Sequence, residues 1–161
     1  MTTSNRSTGA ERELFESMLD QARTDLVGTV RGLSETDARL RLVPSSTTPI
    51  ALIKHATFAE RLWFQRTLGR LADDECDGPL WAHGGFEVGD DETVAEVIAE
   101  YERASARSRS VAARVPLDET RAHPHTGVLV SLRWIYVFLT AEFARHAGHG
   151  DILREQIEAR A

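Results

Sequence analysis

The sequence predicts an all-α protein, and three features of it support that prediction. Four long segments repeat apolar residues at intervals of three and four, which is the period of an amphipathic helix. The segments between them show no convincing strand alternation. The segments between them can serve as loops that join neighbouring helices running in opposite directions. We therefore predict one domain over residues 1–161, folded as an antiparallel four-helix bundle, with a flexible stretch over residues 1–7.

The first helix is predicted to open at Thr8, because the spacing from Thr8 to Glu11 matches a capping box. Its apolar period continues to about Leu33. A short helical turn is expected within residues 34–42, where the same capping pattern occurs again.

The second helix has the clearest start in the chain. Thr48 can cap it, and Pro49 falls at the first helical position, where the missing N–H costs nothing. We expect this helix to run to about Gly69. Residues 70–93 then lack a clear period and contain several aromatic side chains, including Trp81. A loop of this length is usually functional or flexible, and we expect it to cover part of the molecule.

The third helix should start around Asp91 or Glu92 and end before Pro116. A second irregular stretch leads from there into the fourth helix, which is predicted from about Ser131 to Glu158.

Composition excludes several classes of function. The formal net charge of −6 argues against nucleic acid as the main partner, because neutralising phosphates needs a basic surface. No apolar run approaches the roughly 18 residues of a membrane span, and the N-terminus lacks an apolar signal region, so we expect a cytoplasmic protein. Cys76 is the single cysteine, and its acidic neighbours indicate an incidental surface thiol.

The inward stripe of the fourth helix is interrupted by ionisable groups. Steps of three and four residues should keep one face toward the interior of the bundle. An unpartnered charge there costs several kcal/mol, so such groups are normally paired, hydrogen-bonded or bound to a metal. The stripe consists of Leu132, Ile135, Leu139, Glu142, His146, His149 and Leu153.

A partner for this stripe stands on the second helix, where His55 replaces an apolar residue on the inward face. If the two helices are neighbours, His55 meets Glu142 and His146 across the core. Two imidazole nitrogens and a carboxylate oxygen are typical ligands of catalytic Zn²⁺, with Ni²⁺ or Fe²⁺ as alternatives. His149 is a candidate for orienting a ligand or moving a proton, or for a fourth ligand. The plainer alternative is a hydrogen-bonded core histidine beside a surface contact between Glu142 and His146.

These residues carry a resemblance to the DinB superfamily. The resembling segments are "STTPIALIKHATFAERLWF" and "VSLRWIYVFLTAEFARHAGHGDILRE". Many members have three histidines, whereas Glu142 replaces one of them here, as in the branch of mycothiol-dependent maleylpyruvate isomerase and related thiol S-transferases. The resemblance implies a DinB-like four-helix bundle and a divalent metal on His55, Glu142 and His146. It also implies mycothiol as a thiol cofactor, with His149 assisting proton transfer and the loop around Trp81 shaping the cofactor pocket.

We therefore expect a transferase or isomerase in which a metal-activated thiolate attacks an electrophile, so that both partners are small molecules. The alternatives are a non-catalytic metal-binding or stress-response bundle, a metal-dependent hydrolase and an inert scaffold. The aromatic stretches "RLWF" and "LRWIY" are compatible with a symmetric homodimer, or with packing of Trp63 or Trp134 inside the bundle.

Overall fold

The chain is mainly helical, which confirms the predicted all-α class. The computed structural model describes residues 8–160, apart from the side chains of residues 82 and 83, so the expectation for residues 1–7 lies outside it. Its α-helices are α1 over Glu11–Val30, α2 over Glu35–Ala38, α3 over Pro49–Glu60, α4 over Val94–Ala112 and α5 over Leu132–Glu158.

The first helix differs from its predicted bounds at both ends. The residue before α1 is Ala10, whose side chain cannot accept a hydrogen bond, so the capping box predicted at Thr8 is wrong. The helix ends at Val30, short of Leu33, because Gly32 turns the chain with a φ of +84°.

The second predicted helix is confirmed in extent, but its winding changes part of the way along. The Thr48 hydroxyl accepts a hydrogen bond from the backbone N–H of Ala51 at 3.3 Å, and Pro49 holds the first position. After α3 the chain continues as a π-helix over Arg61–Leu68. Wider turns of this kind are rare and often lie near functional sites.

α4 begins at Val94, later than the predicted start at residues 91–92. The reason is local, since Thr93 and Glu96 form a capping box on the first turn. The carboxylate of Glu35 in α2 also accepts a hydrogen bond from the backbone N–H of Val94, with an N–O distance of 3.0 Å. The two acids thus satisfy free amide donors at this helix end.

The expectation of no strands is wrong for one short hairpin. β1 at Thr120–Ala122 pairs antiparallel with β2 at Leu129–Ser131, with Arg121 opposite Val130. The hairpin leads directly into α5, where the Ser131 hydroxyl accepts from the N–H of Trp134 at 3.1 Å. The predicted bounds of this last helix are confirmed.

Packing of the helices places α3 beside both α4 and α5, while α1 lies along α5. α1 and α5 approach closely at Gly150, where an added Cβ would lie 2.5 Å from the Thr29 hydroxyl oxygen. Within residues 8–160, no helix is long and apolar enough to cross a membrane. Fully buried apolar side chains from all four long helices form one core, among them Leu19, Leu26, Ile53, Val97, Leu132, Ile135 and Phe143.

Candidate metal centre

His55 on α3 and Glu142 and His146 on α5 lie together where the two helices pack. One possible ligand atom from each of the three lies within 4.8 Å of the others. Glu142 and His146 are one helical turn apart, so both project from the same face of α5. Among the described residues this is the one group of three or more such side chains that is close enough to share an ion.

One carboxylate oxygen lies at the centre of the cluster. Oε1 of Glu142 is 3.0 Å from Nε2 of His146 and 3.6 Å from Nε2 of His55. The other oxygen, Oε2, accepts a hydrogen bond from Nη1 of Arg145 at 2.9 Å. Arg145 approaches from the solvent side, with 61% of its side chain exposed, so it neutralises the carboxylate only at the edge of the site.

The hydrogen bond made by Nδ1 of His55 defines the tautomer of this histidine. Nδ1 lies 2.6 Å from the carbonyl oxygen of Gly84, and a carbonyl can only accept, so Nδ1 carries the proton. A neutral His55 then presents the lone pair of Nε2 to the Glu142 carboxylate. Two electron-rich atoms facing each other are unfavourable unless a proton or a cation lies between them.

His146 is buried, and its surroundings favour the neutral ring. Burial lowers the pKa of His146, the neighbouring His55 lowers it further, and Glu142 acts in the opposite direction. Neutral imidazole is the form that binds metals. Nδ1 of His146 is buried without a hydrogen-bond partner among the groups that the structure describes.

These features fit a divalent cation. Two imidazole nitrogens and one carboxylate oxygen form the kind of ligand set that a divalent ion such as Zn²⁺ takes, and they lie close enough together to share one ion. The Gly84 carbonyl supplies for His55 the outer hydrogen bond that metal-bound histidines usually make. Nδ1 of His146 lacks that partner among the described groups, so this ring is oriented by packing and by its contact with Glu142.

The loop that leads to α4 covers His55, where the sequence predicted only that it covers part of the molecule. The ring of Phe86 stacks on the His55 ring with centroids 4.2 Å apart and planes 17° apart. Gly84 and Gly85 have φ values of +71° and +74°, which side chains other than glycine rarely adopt. The left-handed turn therefore allows the Gly84 carbonyl and the Phe86 ring to meet the same imidazole.

Buried charges on α3 and the π-helix hold this loop in place. Lys54 forms an ion pair with Glu92 at the end of the loop. Arg61, with only 1% of its side chain exposed, binds Asp77 at 2.9 Å and Glu100 of α4 at 2.7 Å. The loop is therefore anchored on both sides of the segment that touches His55.

Trp81 lies in the anchored part of the loop and not in the cluster. Its ring faces two cations, Nζ of Lys54 at 4.7 Å and Cζ of Arg61 at 4.9 Å. It also lines an open groove of about 930 Å³ that reaches Gly84. The observed contacts of Trp81 stabilise the loop, and its expected contact with a cofactor stays a prediction.

His149 does not lie on the inward stripe, so that part of the sequence interpretation is wrong. Its side chain is exposed, and the His149 ring meets that of His146 edge-on with centroids 5.6 Å apart. Gly150 takes the inward position one turn after His146, because α1 packs tightly there. His149 therefore borders the cluster from the solvent side.

Sequence reasoning missed the contribution of Gly84 and Phe86. The adjacent glycines in the loop are a signal for left-handed backbone. They do not reveal which carbonyl meets His55, because that depends on how the loop folds back over α3.

The chain matches the model of a known protein family. The family model described as MST: Mycothiol-S-transferase matches residues 14–159, which include the whole cluster and the covering loop. No curated protein matches the chain.

Proposed function

The chain belongs to the mycothiol-S-transferase family, a branch of the DinB superfamily, and we propose that it transfers a mycothiol-type thiol to an electrophile. The observation that carries this proposal is the meeting of His55, Glu142 and His146 within 4.8 Å in a chain of that family. The family match supports a small-molecule thiol as substrate, and the cluster supports the place where the thiol reacts.

We propose that His55, Glu142 and His146 hold a divalent cation. Zn²⁺ fits a set of two nitrogens and one oxygen best, with Ni²⁺ and Fe²⁺ as alternatives. When bound, the cation would lower the pKa of a thiol and so supply thiolate near neutral pH.

The protein's own groups have defined tasks in this proposal. His149 accepts the proton that the thiol loses, since its ring is exposed to solvent and adjoins that of His146. The thiol sulfur forms a bond to the electrophilic carbon, and the leaving group departs with its electron pair. Phe86 keeps water away from one side of His55, and the Gly84 carbonyl keeps Nε2 free of a proton.

The thiol itself is proposed to bind beside Trp81. The groove that this side chain lines offers polar and charged groups, including Arg66 and Asp74, that suit a hydrophilic cofactor. Its lining also includes Gly84, which contacts His55, so the groove borders the cluster.

The helix arrangement, the cellular location and the oligomeric state are also part of the proposal. We propose a single-domain antiparallel four-helix bundle of the DinB type in the cytoplasm, paired as a symmetric homodimer. Trp134 is 43% exposed and stacks on Phe138, which makes an aromatic surface available for such a contact. Light scattering on the purified chain tests the dimer, and a monomer at micromolar concentration refutes it.

The decisive experiment combines metal content with thiol conjugation. Untagged protein is expected to contain close to one divalent ion per chain and to conjugate mycothiol with a bimane or with 1-chloro-2,4-dinitrobenzene. Both properties should be lost in Glu142→Ala and His146→Ala. Glu155→Ala is the matched control, since it removes an exposed acid from the same helix. A metal-loaded protein that conjugates no thiol rejects the transferase proposal.

A further inference from the structure

A second groove adjoins the cluster on the side of His149. It has a volume of about 320 Å³ and lies between the segment that precedes α3 and the C-terminal half of α5. Val43 and Thr47 line it from the first side, and His149, Ile152 and Leu153 line it from the second. A cavity of this volume is of the size that takes a small organic molecule.

The groove is apolar in a polar setting. Ile152 is 56% exposed, although its neighbours Asp151 and Glu155 give the surface of α5 a charged character. The described side chains that line the groove include no Asp, Glu, Lys or Arg. Covering Ile152 with an apolar group gains roughly 25 cal/mol for each Å² removed from water. The surface therefore favours a neutral, apolar ligand over a charged or sugar-like one.

His149 connects this groove to the cluster. The same ring that lines the groove meets the His146 ring at a centroid distance of 5.6 Å. A molecule seated on Ile152 and Leu153 would thus lie beside His149, about two helical turns along α5 from His146.

We propose that this groove binds the apolar body of the electrophile and so selects neutral aromatic or alkyl substrates. The inference rests on the proposed transferase function, in which the thiol sulfur bonds to the electrophilic carbon and the leaving group departs. It assigns the two substrates to different surfaces, the thiol to the groove beside Trp81 and the electrophile to the groove beside Ile152.

The kinetic test compares two exposed aliphatic residues on the same helix. Ile152→Asp is expected to raise the KM for 1-chloro-2,4-dinitrobenzene roughly tenfold while leaving the KM for mycothiol unchanged. Val137→Asp is the matched control, because Val137 is 54% exposed on α5 and does not line the groove. An unchanged KM for the electrophile in Ile152→Asp, or an equal rise in Val137→Asp, overturns the proposal.

A binding measurement without metal or turnover separates this proposal from the transferase function. In protein with ¹³C-labelled isoleucine methyl groups, titration with 1,3-dinitrobenzene should shift the Ile152 signal and saturate. This ligand has no leaving group and cannot react. The partly buried Ile98 on α4 is the internal control and should not move.

The two failures look different in these experiments. If the wild-type chain conjugates no thiol but the Ile152 signal still saturates, the transferase function fails and the apolar site stands. If conjugation proceeds and neither the Ile152 signal nor the electrophile KM responds, the groove proposal is wrong and the transferase function stands.

Discussion

Two clusters of polar side chains lie against the same apolar core, and their charges are balanced in different ways. In the first, Arg23 of α1 donates two hydrogen bonds to the carboxylate of Glu60 on α3, at 2.7 and 2.9 Å. Arg23 also binds Asp20 at 2.7 Å, and Asp20 in turn binds Arg109 of α4. Every charge in this cluster has an opposite charge beside it, so the cluster is closed.

The cluster of His55, Glu142 and His146 is open by comparison. It combines one carboxylate with two imidazoles, and the lone pair of His55 faces the carboxylate across 3.6 Å. Its cationic partner, Arg145, lies toward solvent. The comparison teaches that a buried acid alone does not mark a functional site. Glu60 is 0% exposed and fully neutralised by protein, whereas one oxygen of the half-buried Glu142 faces the Nε2 atoms of two histidines.

The largest effect is expected from a substitution that breaks the closed cluster. Glu60→Leu leaves the buried Arg23 without its bidentate partner, so the free energy of unfolding of metal-free protein should fall by about 3 to 5 kcal/mol. Replacing both partners together, as Arg23→Met with Glu60→Leu, should recover most of that loss. Denaturant unfolding measures both changes.

The control for this comparison is an exposed ion pair between the residue that follows α1 and a residue of α4. Arg31 and Glu102 are 67% and 60% exposed, and Glu102→Leu should change stability by less than about 1 kcal/mol. A loss in Glu60→Leu no larger than this would show that Arg23 and Glu60 are not the closed cluster described above.

The second largest effect is expected when Zn²⁺ binds to the open cluster. At a free Zn²⁺ concentration of about 100 times its dissociation constant, the free energy of unfolding should rise by roughly 2.7 kcal/mol. His146→Ala and Glu142→Gln should lose this gain, whereas Glu102→Leu keeps it. Unfolding curves with Zn²⁺ and with a chelator give the difference, and an equal gain in His146→Ala would place the ion elsewhere.

The open cluster was predictable from the sequence because its signal is local and repeated. His55, Glu142 and His146 interrupt apolar stripes whose period follows from the sequence, and α3 and α5 pack together. His149 was misplaced because steps of three and four residues leave the inward position ambiguous. The packing of Gly150 against α1 resolves it in favour of the glycine.

The closed cluster and the loop contacts were not predictable, for a different physical reason. Arg23 and Glu60 are separated by 37 residues, and neither shows from its spacing that it points inward to the other. The π-helix begins at Arg61, whose contacts with the loop and α4 likewise form only in the folded chain.

A smaller effect is expected from a substitution that displaces the loop covering His55, since this loop touches the open cluster. An alanine Cβ at position 85 would lie 3.0 Å from the Phe58 Cβ and 3.1 Å from the Lys54 carbonyl oxygen, so Gly85→Ala should displace the loop. Metal affinity should fall by about 10-fold, as when outer groups of a metal site are removed. Gly127→Ala is the control, since Gly127 has a similar φ of +71° with no neighbour within 4 Å. Equal affinities in the two variants, measured with a chelator competition assay, would contradict a role for the loop.

The smallest expected effect is on how the unfolding free energy of metal-free protein depends on pH, because the two clusters titrate in different pH ranges. Burial and the neighbouring His55 hold the pKa of His146 below its ordinary 6.5. As the pH drops below about 6.5, the unfolded chain therefore binds this proton before the folded chain does, and stability falls.

Burial raises the pKa of Asp20, but hydrogen bonds from Arg109 and Arg23 outweigh it and hold the pKa below 3.8. The contribution of Asp20 is therefore present above pH 3.8 and lost below it, and it should be under about 1 kcal/mol because the side chain is 39% exposed. His146→Phe should flatten only the first slope of unfolding free energy against pH, and Asp20→Asn only the second. If one variant flattened both slopes, the two clusters would be coupled, and the distinction between a closed and an open cluster would not hold.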